Sequence, residues 1–297
     1  MRRMITLACL NGELLPADEA KVSIWDRGFV FGDGIYEVFR LYQGQMWLHE
    51  EHMARLRRSL AEMWYEGFDF DRLADRIQRT IEVSEIREGI VYIQITRGVA
   101  PRRHAFPAPG TPPTELIVIK PYDDELVMPL RQSGVPVISF TDLRWRRCDV
   151  KSINLLGNVL ACEAAHRADA FEAILIDEAG LVTEATHSSL LWVRDGKLRA
   201  TPEGREILPG TTRSGGILHA AEAIQMPFVE ERVTLNELLA ADEVILAGTT
   251  IEVMPVRMID GALIGDGECG PHTRRLQQAF RNAVQAWLDL SHDSERR

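Results

Sequence analysis

The sequence predicts a two-domain protein that mixes α and β structure, with a smaller N-terminal α+β half and a larger half of mixed strands and helices. Three observations carry that expectation. Strand-like runs alternate with amphipathic stretches through the first third, residues 121–134 break both periodicities, and two Asp-Gly pairs in the second half each sit between apolar runs. A chain of 297 residues, 45% of them hydrophobic, can bury the cores that two modest domains need.

Taken in order, the first element is a strand within Met4–Leu10, closed by Asn11-Gly12-Glu13. With Arg2-Arg3 in front it imitates a signal peptide, but its apolar run is short and no small-residue cleavage site follows. Two amphipathic helices come next, one with Met53, Leu56, Leu60 and Met63 on one face, the other with Leu73, Ile77 and Ile81. Gly89–Thr96 and Glu115–Ile119 read as strands and complete a domain over residues 1–121. Prolines, charges and the closing Gly134 make 122–134 the expected interdomain linker. The second domain, 135–297, alternates strands (Val135–Phe140, Ala173–Ile176, Val244–Ala247) with helices whose apolar stripes include Leu155 and Val159, then Ile217, Leu218 and Ala221. Asp195-Gly196 and Asp260-Gly261 mark hairpins, so antiparallel strands belong there too. A last helix carries Leu276, Phe280, Val284 and Leu288, and Asp289–Arg297 reads as a frayed polar tail.

The formal net charge of -10 argues against a nucleic-acid surface, and small anionic substrates would need local basic groups. No apolar stretch approaches the roughly 20 residues that span a bilayer, so a cytoplasmic protein without a membrane partner is expected. Cys9, Cys148, Cys162 and Cys269 are scattered, without a CxxC pair or partners at ligand spacing; reduced thiols and no structural metal are the reading.

Lysine is rare: Lys21, Lys120, Lys151 and Lys197 are the only four among 34 basic residues. Lys197 follows an Asp-Gly turn, Lys120 precedes a proline at a strand end, and Lys21 lies among polar residues. Lys151 is flanked by Cys148, Val150, Ile153, Leu155 and Leu156, with a helix starting just after Ser152 or Asn154. Burial there favours the neutral amine that attacks carbonyls. A lysine snorkelling at a helix start is the alternative.

The run from Arg144 to Ala161, Arg-Trp-Arg-Arg-Cys-Asp-Val-Lys-Ser-Ile-Asn-Leu-Leu-Gly-Asn-Val-Leu-Ala, resembles the cofactor-lysine segment of fold type IV aminotransferases, especially the D-amino acid (D-alanine) aminotransferases. The resemblance extends collinearly to Asp26-Arg27-Gly28, Phe31–Glu37, Glu51–Leu56, Thr96-Arg97-Gly98, Pro101–Pro107, Val182-Thr183-Glu184 and Leu208–Arg213, and so covers nearly the whole chain.

What the resemblance implies is a pyridoxal 5'-phosphate enzyme that exchanges amino groups between a D-amino acid, of the D-alanine or D-glutamate type, and a 2-oxo acid by a ping-pong route. Lys151 would carry the cofactor as a Schiff base and move the proton at the substrate α-carbon. Glu184 would face the pyridine nitrogen and keep it protonated. Arg55 would bind the phosphate with its fork, helped by Thr211 and Thr212 after Gly210, by Thr249 and Thr250, and by Ser188 nearer the ring. Tyr36, Arg102 and His104 would trap the α-carboxylate, the latter two on a loop that in the family reaches the partner's active site, which implies a homodimer. One lysine delivers its proton to one cofactor face, so the side that holds the carboxylate decides handedness. Branched-chain L-aminotransferases lack the Pro-Arg-x-His pattern of Pro101–His104.

Two departures stand out. D-alanine enzymes of the family carry glycine, three serines and asparagine after the cofactor glutamate, where this chain has Ala185-Thr186-His187-Ser188-Ser189; His187 tunes the cofactor's surroundings or merely fills space. At the second phosphate loop Gly248-Thr249-Thr250 lacks one hydroxyl, so weaker or rearranged phosphate contacts are expected. Competing readings within the fold are a branched-chain L-amino acid or (R)-amine aminotransferase and aminodeoxychorismate lyase. A non-enzymatic cofactor-fold module is opposed by the retention of Lys151, Glu184, Arg55, Arg102 and His104.

Overall fold

The first of two units is an antiparallel sheet with helices on one face. In the computed structural model, which describes residues 6–295, it takes in the chain up to Asp123 together with Val150–Asn154. Its elements are β1 (Leu7–Leu10), β2 (Glu13–Pro16), the short α1 (Arg27–Phe31), β3 (Gly34–Tyr42), β4 (Gln45–Met46), α2 (His49–Glu62), α3 (Phe70–Ser84), β5 (Gly89–Thr96) and β6 (Thr114–Pro121). The strand order is β2-β1-β6-β5-β3-β4. Because side chains alternate across a strand, Ile35, Glu37, Phe39 and Leu41 share one face of β3, in register with Ile95, Ile93, Val91 and Gly89 of β5. Ile117 and Ile119 of β6 extend that face. Onto it α2 and α3 press Met53, Leu56, Leu60, Leu73, Ile77 and Ile81, all buried. Each such side chain contributes about 1.5–3 kcal/mol by leaving water. Asp69 caps α3 by accepting from the Arg72 N–H at 2.9 Å. Of the expected first strand, Leu7–Leu10 is seen, and Met4 and Ile5 lie outside the described residues.

The second unit holds a nine-stranded mixed sheet in the order β12-β11-β10-β13-β14-β7-β8-β9, with β15 on β14. Its strands are β7 (Val135–Thr141), β8 (Glu172–Ile176), β9 (Val182–Ala185), β10 (Ser189–Arg194), β11 (Lys197–Ala200), β12 (Phe228–Glu230), β13 (Glu243–Gly248), β14 (Glu252–Ile259) and β15 (Ala262–Leu263). Its helices are α4 (Met128–Ser133), α5 (Leu156–Arg167), α6 (His219–Ala223), which continues a wide π-type turn over Thr212–Leu218, α7 (Leu235–Leu239) and α8 (Pro271–Glu295). β7 runs parallel to both β8 and β14, while β8–β9, β10–β11, β10–β13 and β13–β14 are antiparallel. Both Asp-Gly pairs form the expected hairpin turns. Asp195, Gly196, Asp260 and Gly261 all have positive φ, as two-residue hairpin turns demand. Leu276, Phe280, Val284 and Leu288 of α8 are buried as their spacing predicts. The helix persists to Glu295 instead of fraying at Asp289, and residues 296–297 lie outside the described residues.

Three features differ from the sequence reading. Residues 122–134 form no free linker: from Asp124 the chain belongs to the second unit, and Pro129 sits in the first turn of α4, where a missing N–H costs nothing. Arg131 fastens this helix, donating to the Ile251 and Thr250 carbonyls at 3.0 and 3.1 Å. On α5 the buried stripe is Ala161 and Ala165, whose small side chains let the helix approach Ala173 and Leu175; Val159, with Leu156 and Leu160, is exposed.

The third difference concerns Lys151, expected on the larger domain. Val150–Asn154 returns to the first unit, where the Tyr36 N–H donates to the Lys151 carbonyl at 3.0 Å and the Ile153 N–H to that of Gly34 at 3.1 Å. The Asn154 amide also donates to the Gly32 carbonyl at 3.0 Å. Gly32 ends α1 at φ 67°, and a side chain there would collide with Asn154. Five residues are too few for a periodicity, so this docking carries no pattern in the sequence.

Candidate active site

In the first unit the edge of β3 organises the site. Alternation sends Glu37 into the core and Tyr36 to the opposite face. The Lys151 backbone is tied to both β3 and α2, since its N–H donates to Ser59 Oγ at 3.2 Å. Its Nζ stands 4.4 Å from the centroid of the Tyr36 ring. Tyr36 stacks on Tyr92 of β5, with centroids 5.8 Å apart, and the Tyr92 hydroxyl donates to Gln94 Oε1 at 2.7 Å. Burial, followed by the nearby Tyr36, pushes the Tyr92 phenol up to about 12. Tyr92 therefore stays a neutral aromatic wall.

Behind Lys151, Arg55 on α2 is almost fully buried and clamps Glu37: Nε donates to Oε2 at 2.9 Å and Nη2 to Oε1 at 2.6 Å. His52, one turn earlier, places Nδ1 2.9 Å from the same Oε1. Burial alone would raise the Glu37 carboxyl, but Arg55 and His52 override it and hold it far below the usual carboxylate range. Glu37 orients the guanidinium through its Nε–Nη2 edge. Burial drives the His52 imidazole below its ordinary 6.5, against the pull of Glu37.

The buried imidazole has a consequence for stability against pH. The folded pKa of His52 is depressed, so the unfolded chain binds the proton first; the stabilisation is full above about pH 6.5 and declines as the pH falls below it. The melting temperature of the parent should therefore drop more steeply between pH 7 and pH 5 than that of His52→Gln. Equal slopes would show that the imidazole does not act this way.

The loop between β5 and β6 carries Arg102 and His104, both exposed. They converge on the ring of Phe31 at the end of α1, with the Arg102 Cζ and the His104 ring each 5.4 Å from its centroid.

In the second unit Glu184 lies on β9 and is 7% exposed. It is paired with Arg144 Nη1 and accepts from the Leu208 N–H at 3.1 Å. Arg144 is in turn held by Asp142, with Nε 2.9 Å from Oδ1 and Nη2 2.7 Å from Oδ2. Burial would lower the Arg144 guanidinium, but Asp142 and Glu184 drive it well above its normal value. The arrangement sets the β9 carboxylate against a buried cation.

The turn after β9 is organised by Glu172 of β8, fully buried. It accepts from the His187 and Ser188 N–H groups at 2.7 and 3.0 Å, from Thr186 Oγ1 at 3.0 Å and from Ser188 Oγ at 2.8 Å. His187 leans over the same carboxylate with Nδ1 at 3.3 Å, its ring half exposed. Thr211 and Thr212 are buried at the start of the π-type turn. Gly210 before them packs so closely on Ser189 Oγ that a side chain would collide with it. Thr249 and Thr250 form the β13–β14 turn, braced by Arg131.

The first unit thus sets Lys151 against Tyr36, holds Arg55 on Glu37 of the same strand, and separately brings together Arg102 and His104. Glu184, Ser188, Thr211, Thr212, Thr249 and Thr250 all belong to the second. The sequence reading missed Glu37, His52, Tyr92, Arg144 and Glu172 as site residues. Glu37 and Arg144 lay inside motifs already singled out; Glu172 had a signal only in being an acidic residue at the head of an apolar run.

The class IV amino-transferase family matches residues 34–259. The D-alanine aminotransferase of Staphylococcus haemolyticus is 42% identical over 286 residues, 95% of this chain and 99% of that protein. The D-alanine aminotransferase of Bacillus licheniformis is 41% identical over 92% of this chain and 95% of that one. Among solved structures, the Escherichia coli branched-chain amino acid aminotransferase superposes with a TM-score of 0.87 at 27% identity, covering 94% of each chain. A T.th. branched-chain amino acid aminotransferase with pyridoxamine 5'-phosphate gives 0.86 at 28%, again covering 94% of each. The expected two-domain fold type IV architecture agrees with these structures, and the chain belongs to the class IV aminotransferases.

Proposed function

We propose that this aminotransferase moves amino groups between D-amino acids of the D-alanine type and 2-oxo acids, using pyridoxal 5'-phosphate. The observation that carries the D reading is the near-full-length identity to D-alanine aminotransferases, together with Arg102 and His104 converging on Phe31. The branched-chain L reading draws on fold likeness, at markedly lower identity.

The residues present fit the cofactor. An amine over an aromatic face matches its aldehyde, a buried guanidinium and buried threonines beside a close-packed glycine match its phosphate, and a carboxylate paired with Arg144 matches its pyridine nitrogen. When bound, the cofactor supplies an electron-accepting ring. Lys151 Nζ would hold it and carry the proton to and from the substrate α-carbon. Glu184 would keep the proton on the pyridine nitrogen. Arg55, Thr211, Thr212, Thr249 and Thr250 would bind the phosphate, with Ser188 shaping the turn beside the ring through Glu172. Arg102, His104 and the Tyr36 hydroxyl would bind the α-carboxylate.

We also propose a homodimer. Its support is the apolar surface left uncovered on each unit: Ile24, Trp25 and Phe29 in the first, with Phe29 73% exposed, and Leu156, Val159 and Leu160 in the second, with Leu156 72% exposed. No helix among the described residues is long and apolar enough to cross a membrane. The four cysteines are unpaired, in keeping with a cytoplasmic setting.

The test is to offer D-alanine, L-leucine or an aryl (R)-amine in turn with 2-oxoglutarate and follow product. D-alanine should react fastest; reaction of L-leucine alone would reverse the assignment, and pyruvate release from aminodeoxychorismate without an acceptor would indicate the lyase. Arg102→Ala should raise the KM for D-alanine roughly 10- to 100-fold, the loss expected for one charge-assisted hydrogen bond. Any carboxylate-free amine turned over should be barely affected, and equal losses for both would remove Arg102 from the carboxylate site.

A further inference from the structure

Two guanidiniums in the first unit share one carboxylate. Arg27 Nε stands 2.7 Å and Arg97 Nε 3.0 Å from Asp33 Oδ2. Both cations are nearly out of water, Arg27 at 3% and Arg97 at 7% exposure. One carboxylate cannot satisfy the donors of two buried guanidiniums, so the remaining N–H groups require neutral acceptors. Arg97 Nη2 finds the Met63 carbonyl at 2.7 Å. Arg27 finds the carbonyls of three consecutive loop residues: Nη1 donates to Arg103 at 2.7 Å and Ala105 at 3.2 Å, and Nη2 to His104 at 3.4 Å.

Those carbonyls belong to the stretch that presents Arg102 and His104. Among the described residues, no backbone-to-backbone hydrogen bond reaches residues 101–107, so this stretch has no ladder of its own to fix it. Its hold comes from side chains. Arg27 grips the backbone, and its Cζ lies 4.8 Å from the centroid of the same Phe31 ring against which Arg102 and His104 rest. Arg97 adds a second fastening by covering Phe106 at 3.7 Å. The planar fork suits the task, because it spreads donors over several acceptors at fixed angles, as an ammonium does not.

We infer that Arg27 is the positioning residue of the carboxylate-binding loop: it sets the 103–105 backbone and thereby where Arg102 and His104 stand. This rests on the proposed role of those two residues. Arg27 itself touches no substrate.

The test uses full-length, cofactor-loaded Arg27→Lys, which keeps a cation for Asp33 but loses the fork, beside Arg102→Ala and the parent. Arg27→Lys should raise the KM for D-alanine about tenfold while kcat changes less than about threefold. Tryptic cleavage after Arg102 and Arg103, bonds that the fastened backbone presents poorly to a protease, should quicken at least about tenfold, with hydrogen exchange at the β3 and β5 amides as slow as in the parent. If Arg102→Ala raises the KM and Arg27→Lys does not, the inference fails and the carboxylate role stands. If neither raises it, the carboxylate role fails and takes the inference with it. Should Arg27→Lys melt far below the parent, Arg27→Gln is read in its place, its neutral amide donating to fewer carbonyls; parent-like tryptic cleavage after Arg102 and Arg103 in that variant overturns the inference.

Discussion

Lys151→Ala lowers kcat with D-alanine by at least about 10,000-fold, since one substitution removes both the amine that holds the cofactor and the base that moves the α-proton. Borohydride treatment of the parent with pyridoxal 5'-phosphate should fix the cofactor covalently on the peptide containing Lys151, and the variant should yield no such peptide. The environment supports this assignment. Among the described residues the Lys151 ammonium has no carboxylate partner; it faces the Tyr36 ring, with its backbone fixed by Tyr36 and Ser59. The variant should fold, because the ties to β3 and α2 are made by the backbone. Label appearing instead on Lys21, Lys120 or Lys197, or substantial turnover by Lys151→Ala, would sink the assignment.

Regular, locally encoded elements were legible in the sequence. The stripes of α2, α3 and α8 and the two Asp-Gly hairpins emerge as read, because a helix face or a two-residue turn is specified by residues close together in the chain. What escaped depends on residues far apart. The Lys151 segment joins the first unit through main-chain hydrogen bonds, Ile153 to Gly34 and Tyr36 to Lys151, which any sequence can make and no composition reveals. The α5 stripe was misread because apolar spacing cannot tell a face covered by the chain's own sheet from one left exposed; the small alanines, not the leucines, meet the sheet. The supporting groups Glu37, Arg144 and Glu172 were equally hidden. A carboxylate near an arginine in space can lie 18 or 40 residues away in the chain, as Glu37–Arg55 and Arg144–Glu184 do.

Glu184→Gln tests the other end of the cofactor, and its effect should be second only to the loss of Lys151. The substitution keeps the shape and an acceptor oxygen for the Leu208 N–H, but removes the negative charge that Arg144 and the pyridine nitrogen both require. Removing one preorganised electrostatic contact to developing charge typically costs about 100- to 1000-fold in kcat, and a loss of that size is expected here. The KM for D-alanine should move little, since Glu184 does not touch the carboxylate. The fold should tolerate the change better than a stripped ion pair usually does, because Asp142 continues to hold Arg144 through two contacts. That separates a catalytic from a structural outcome. A protein that melts like the parent, binds pyridoxal 5'-phosphate and yet turns over slowly places the proton on the ring nitrogen under the control of Glu184. A kcat within about twofold of the parent would mean that the ring works without that charge, and the role assigned to β9 would have to be given up.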